Sequence, residues 1–144
     1  MKFATLIMVA VTTLLGPSYA HAQSESNLIE NIPSNENFET YLQRDLNKYF
    51  TDLKSREVKV TYTLLRDGPT QSGIAYPKYY LWVKVNSDGN LLDQGAVRLA
   101  AIDGLRFEIT DFLSISDIAA HPETIDNIFP KALEPQIRKF SGLQ

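Results

Sequence analysis

The side chains able to do chemistry in this chain are few and widely spaced. There are two histidines and no cysteine. His21 falls in an N-terminal leader, which leaves His121 as the only imidazole downstream. A zinc or copper site built from imidazole and thiolate is therefore excluded, and so is a cysteine nucleophile. A Ser-His-Asp arrangement would have to use His121 beside Pro122, with no Gly-x-Ser-x-Gly turn to present the serine. Residues 68–73 (Gly-Pro-Thr-Gln-Ser-Gly) are rich in glycine but lack the Lys-Ser/Thr pair of a phosphate loop. Asp88, Asp93 and Asp103 do not have calcium-loop spacing and read as turn residues. No catalytic pair and no cofactor is expected.

Two groups suited to binding remain. The first is Tyr80, Trp82, Arg98 and Glu108, which strand alternation gathers on one sheet face. Aromatics with arginine on a flat face suit a protein interface. The same residues would equally serve as the bed for C-terminal helices. The second is the loop 66–76, where Arg66, Gln71 and Tyr76 offer charge, amide and phenol groups to a ligand.

The elements that must position these groups follow from periodicity. Residues 79–113 alternate apolar with polar or small residues in three runs broken by two Asp-Gly turns. That is the period of a half-buried antiparallel meander. Val58, Val60, Tyr62 and Leu64 alternate likewise and add a first strand. Before it, Phe38, Tyr41, Leu42, Leu46, Tyr49, Phe50 and Leu53 recur at three- and four-residue steps, one apolar stripe of a helix over residues 34–53. Ser34 or Asn35 would cap it. The predicted fold is α+β: this helix packed on a four-stranded antiparallel sheet, followed by short C-terminal helices. In the tail Ser116 is the expected cap of a first turn, and Pro122 opens the next helix.

Register follows from the turns. Residues 86–89 predict a three-residue loop with a glycine bulge, setting Val85 opposite Leu91, Leu81 opposite Gly95 and Tyr79 opposite Val97. The same loop at 102–104 sets Ala101 opposite Leu105, Leu99 opposite Phe107 and Arg98 opposite Glu108. One-residue slips exchange the two faces. A two-residue second turn would mix charge with core residues on each face, so the bulged loop is preferred. The inner face then holds Tyr79, Leu81, Val83, Val85, Leu91, Val97, Leu99, Leu105 and Phe107, and Trp82 and Arg98 look the other way.

The ends and the charge bound the setting. Lys2, the apolar run 3–15 and Ala20-His21-Ala22 have the layout of a secretory signal peptide. The organisation read from the sequence is a signal peptide at 1–22, a flexible lead-in at 23–33 and a single domain at 34–144. The chain is then exported to the periplasm or the extracellular space, with no membrane attachment after cleavage. Lys and Arg total 14 against 17 Asp and Glu, a net charge of −3. No basic cluster is present, which argues against nucleic acid.

One helix followed by four antiparallel strands, over about residues 34–113, resembles the cystatin-like and nuclear-transport-factor-like group of curved-sheet folds. The inhibitory Gln-x-Val-x-Gly hairpin of cystatins finds no match at Gln94-Gly95-Ala96-Val97, Gln71-Ser72-Gly73 or Asn86-Ser87-Asp88-Gly89. The transport-factor-like relatives include enzymes with Asp, His or Tyr in a cone-shaped cavity. The inner face here offers Tyr62 and Tyr79 without a catalytic pair. The leading expectation is thus a non-enzymatic binding module for an unknown protein partner or small ligand, contacting it through the outer face and the loop 66–76. The alternative is a pocket between helix and sheet using Tyr49, Tyr62, Tyr76 or Tyr79, with or without catalysis. A homodimer joined through the outer face is a third reading.

Overall fold

A computed structural model describes residues 30–143. The expected signal peptide, and the lead-in up to residue 29, lie outside the described residues. Helix α1 (Asn35–Lys54) is followed by strands β1 (Lys59–Leu64), β2 (Lys78–Ser87), β3 (Asn90–Ile102) and β4 (Arg106–Ser114). The tail comprises α2 (Ile115–Ala120), α3 (Thr124–Ile128), a 3₁₀ turn (Lys131–Leu133) and α4 (Glu134–Ser141). The strands form one antiparallel sheet in the order β1-β2-β3-β4, as the alternation predicts.

Helix α1 starts where the Ser34 carbonyl accepts hydrogen bonds from the Asn37 and Phe38 amides, both 2.9 Å. It stops at Ser55, whose φ of +53° leaves the helical region. Leu42, Leu46 and Phe50 point into the sheet and are fully buried. They meet Val60, Leu81, Val83, Val97, Leu99 and Phe107 on the inner face. Phe38 packs edge-on against Tyr79 and Phe107, with centroids 5.2 and 5.0 Å apart, and Phe50 packs against Phe112 at 4.8 Å. Each such side chain contributes roughly 1.5–3 kcal/mol by leaving water.

Both hairpins differ from the predicted register, for one reason. Asp88 and Gly89 both take positive φ (+50° and +78°), so the first turn has two residues and Ser87 closes it with Asn90. Such a turn matches the right-handed strand twist, and Asp-Gly supplies the left-handed backbone it needs. The surplus residue becomes a bulge farther on: Asn86 faces Leu91, but Val85 faces Asp93. Beyond the bulge Leu81 faces Val97 and Tyr79 faces Leu99, two residues from the expected pairing. At the second turn Ile102 faces Arg106 and Leu99 faces Ile109, again displaced by two. A second bulge then sets Arg98 opposite Asp111, while Glu108 stands opposite Ala100. Up to Ile109 the displacement is even and preserves the faces, so the inner aliphatic set survives; past the second bulge it is three, which turns Phe112 to the inner core and Leu113 to the outer one. The two expected inner residues nearest the turns are corrected: Leu91 is 52% and Leu105 64% exposed.

The outer face is not open. The tail packs on it and builds a second core from Leu65, Tyr80, Trp82, Ala96 and Leu113 beneath Ile118, Ile125, Phe129, Leu133 and Ile137. The sheet is therefore the middle of three layers. Ser114, not Ser116, caps α2: its Oγ accepts from the Asp117 amide (3.1 Å), and the Asp117 carboxylate accepts from the Ser114 amide (3.2 Å). This reciprocal pair is a capping box. The helix after Pro122 begins at Thr124.

Polar side chains flanking the apolar stripe of α1 close the sheet edges. On β1 the Asn47 Oδ1 accepts from the Val60 amide (2.9 Å), and the Gln43 Nε2 donates to the Val60 carbonyl (2.7 Å). On β4 the Asp45 carboxylate accepts from the Phe107 amide (2.7 Å), and Arg44 donates to the Leu105 carbonyl (2.9 Å). The end of the lead-in is held as well. The Asn31 side chain accepts from the Asp103 amide and its carbonyl from the Gly104 amide, each at 3.0 Å. A freely moving lead-in is thus corrected for residues 30–33.

Candidate functional site

Strand parity puts Thr61, Thr63, Trp82, Lys84 and Gln94 on the outer face, toward the β1 side. Thr61 pairs with Lys84 and Lys84 with Gln94, making one row across three strands. Thr63 pairs with Trp82 and Trp82 with Ala96, making the next. Helix α4 brings Phe140 over the second row, where its ring stacks on Trp82 at 5.4 Å between centroids and 16° between planes. Among the described tail residues only Phe140 lines the space over the first row. A groove of about 320 Å³ remains, lined by Thr61, Tyr62, Thr63, Trp82, Lys84, Gln94 and Phe140. That volume lies at the small end of ligand sites.

The groove combines an aromatic wall with unspent polar groups. Lys84 is exposed and enters no ion pair among the described residues. The Trp82 Nε1–H is buried and has no acceptor among the described residues. A buried donor left unmet costs about 1–3 kcal/mol, so native interiors rarely tolerate one. A similar depression of about 330 Å³ between α1 and β4 is lined by Asp45, Lys48, Tyr49, Asp52, Arg106, Phe107, Glu108 and Ile109. There Lys48 pairs with Asp52, and Asp45 is spent on Arg44 and the Phe107 amide. The first groove is the better candidate because its aromatic stack adjoins the Lys84 ammonium, whereas of the charged groups in the second only Arg106 and Glu108 enter no side-chain bond among the described residues.

The sequence-predicted site residues divide among several places. Trp82 is 2% and Tyr80 5% exposed, so the expected display of an open Tyr/Trp/Arg set is corrected: the tail covers it. Replacing Trp82 by alanine would open a cavity costing about 3–5 kcal/mol, not spare the fold. Arg98 does not pair with Glu108. Its Nε donates to the Asp111 carboxylate (2.6 Å), and its Nη1 donates to the Ile128 carbonyl (3.0 Å), fastening the tail to the sheet. Glu108 lies in the α1–β4 depression. Arg66 is exposed after β1. The loop 66–76 folds toward Tyr80 through a 2.6 Å hydrogen bond between the Tyr80 and Thr70 hydroxyls. Gln71 beside it buries an Oε1 that lacks a partner. Tyr76 instead lies at a shallow surface with Ile74, Asn31 and Asp103. Of the predicted residues, Trp82 lines the groove, and so does Tyr62 from the alternative set.

The tyrosines of the alternative pocket are likewise dispersed. Tyr79 is packed on Phe38 and Phe107, and Tyr49 on Phe50. Tyr62 donates to Glu39 Oε2 at 2.5 Å. Burial first, and then that hydrogen bond, push the Tyr62 pKa up, and burial raises that of Tyr79. His121 Nδ1 lies 3.4 Å from Glu123 Oε1 in a solvent-exposed loop pair.

Sequence reasoning missed Thr61, Thr63, Lys84, Gln94 and Phe140 as neighbours. The first four share the outer-face parity of Trp82, Thr63 in its row and Thr61, Lys84 and Gln94 in the next. Phe140 joins only through the tail, whose docking no local pattern specifies. No protein family matches this chain, no characterised protein does, and no solved structure does.

Proposed function

We propose that this chain is an exported, non-enzymatic binding module whose ligand seat is the groove between β1, β2, β3 and α4. The observation that carries this reading is the coincidence, in one groove, of the Trp82–Phe140 stack and a Lys84 ammonium that enters no ion pair among the described residues. Aromatic faces supply contact area, while the few polar groups at the rim fix orientation. Lys84 selects for a negative or strongly accepting group, and the Thr61 and Thr63 hydroxyls and the Gln94 amide can donate or accept beside it. Export is the part of the reading supported by the leader at 1–22, and the element order is that of a cystatin-like or transport-factor-like relative.

The chain contains a single tryptophan, and it forms one wall of the groove. Intrinsic fluorescence therefore reports occupancy directly. Separate pools of peptides, oligosaccharides and small carboxylates are titrated against the full chain. A pool that binds should shift Trp82 emission, and Lys84→Ala or Gln94→Ala should weaken it roughly tenfold, about 1.4 kcal/mol, without changing the melting temperature. Binding that both substitutions leave untouched would place the ligand elsewhere and reject the groove.

A further inference from the structure

The edge of β1 beside the groove carries main-chain groups that no described residue satisfies. In this antiparallel pairing the odd residues turn their N–H and C=O toward β2, as the 2.9 Å bond from the Leu65 amide to the Tyr80 carbonyl indicates. The even residues Val60, Tyr62 and Leu64 turn theirs away from the sheet. At Val60 both groups are taken by Asn47 and Gln43. Helix α1 supplies no such partner at Tyr62 or Leu64, and none is present among the described residues. Folded proteins generally blunt a free strand edge; this one is blunted at Val60 alone of its three outward residues and left open where it borders the groove.

We propose that β1 receives an extended peptide as a fifth strand, and this rests on the reading of the groove given above. The peptide main chain pairs with Tyr62 and Leu64, whose N–H and C=O groups only an extended backbone matches in spacing. Its residues then alternate between the two faces. One outer-facing residue lies beside Thr61, at the end of the row that leads to Lys84; the next lies beside Thr63, in the row of Trp82 and Phe140. Strands stand about 4.8 Å apart, so a carboxylate on the added strand reaches over Thr61 to meet the flexible Lys84 side chain. The peptide recognised therefore carries an acidic residue and an apolar or aromatic residue two positions apart. The backbone supplies affinity, and the two rows supply selectivity.

The test is selection of capped octapeptides from a random array by the full chain, followed by amide hydrogen exchange on the complex. Selected peptides should be enriched in acidic and apolar residues at a separation of two. They should slow exchange at the Tyr62 and Leu64 amides at least roughly tenfold, as closure of an open edge requires. N-methylation at the peptide nitrogens facing β1 should abolish binding, methylation at the alternate nitrogens should not, and Lys84→Glu should exchange the acidic preference for a basic one. If an oligosaccharide or small carboxylate shifts Trp82 emission while no peptide protects Tyr62 or Leu64, the groove stands and strand addition is overturned. If protection grows with protein concentration and no peptide, a second copy occupies the edge and the peptide is overturned. If no pool moves Trp82 and no motif is enriched, both readings fail.

Discussion

Asn47 holds one edge of the sheet closed, and its removal has a calculable cost. In Asn47→Ala the Val60 amide loses its 2.9 Å acceptor, and the Gln43 amide loses one of its two acceptors, at 3.0 Å. Gln43 keeps its 2.7 Å bond to the Val60 carbonyl, so the damage centres on one N–H. That N–H sits beneath α1 on a residue that is 1% exposed, where water enters poorly. Leaving such a donor unmet costs about 1–3 kcal/mol. Alanine is the better helix former and returns up to about 0.7 kcal/mol. The net loss is then about 1–2 kcal/mol. With a urea dependence of about 1–3 kcal/mol per molar, the unfolding midpoint should fall by roughly 0.5–1 M. Exchange of the Val60 amide should accelerate more than that of Leu81, which lies one strand further in. Asn47→Asp retains the accepting oxygen and should keep most of the stability. Urea denaturation followed by circular dichroism, with amide exchange, measures all three. A midpoint unchanged in the alanine variant, or lowered equally in the aspartate variant, would refute the assignment of Asn47 as an edge clamp.

Two further perturbations probe the core and the titrating groups. A Cβ added at Gly95 would lie 2.0 Å from the Leu113 carbonyl oxygen and 2.8 Å from the Phe112 ring; because the nearer obstacle is main chain, Gly95→Ala should lower stability by about 3 kcal/mol or more, and an unaltered thermal melt would contradict the close approach of β3 to β4. Burial and Glu39 hold the Tyr62 proton more tightly in the folded chain than in the unfolded one. Stability from this group is thus fully present below the ordinary tyrosine value of about 10, and is lost as pH rises from there toward the raised folded value. Tyr62→Phe should make the alkaline decline of the unfolding midpoint shallower, leaving the share owed to Tyr79; an equally steep decline in the variant would rule out Tyr62 as its source.

The parity of the strands was legible because it is written twice, in the alternation and in the demand that neither face mix charge with aliphatic residues. Leu99 and Phe107 share the inner face even though both registers moved by two. What alternation could not choose was where the extra residue of each hairpin goes. Asp88 accepts a left-handed backbone, so the first turn tightens and the bulge moves to Leu92, which carries Leu91 out to solvent. The helix stripe fixed Leu42, Leu46 and Phe50, whereas Gln43, Asp45 and Asn47 looked like ordinary solvent-facing residues. Their bonds to Val60 and Phe107 depend on the sheet edges lying beneath them, which is tertiary information. The outer face was the larger loss. Alternation left Tyr80 and Trp82 open between a displayed face and a bed for the tail, and only the docking of Ile118, Ile125, Phe129, Leu133 and Ile137 decides for the bed. The groove followed that fate: its floor was foreseeable from Trp82 parity, its Phe140 wall was not.

The second core also imposes an order of events during synthesis. The residues that roof Tyr80 and Trp82 leave the ribosome after every strand has. A nascent chain halted at Ser114 already holds every strand, yet it presents Trp82, Ala96 and Leu113 bare to water, which makes it a natural client for chaperones and proteases. Only the tail residues from Ile118 to Ile137 shield them, so closure of the molecule waits on that segment rather than on the strands.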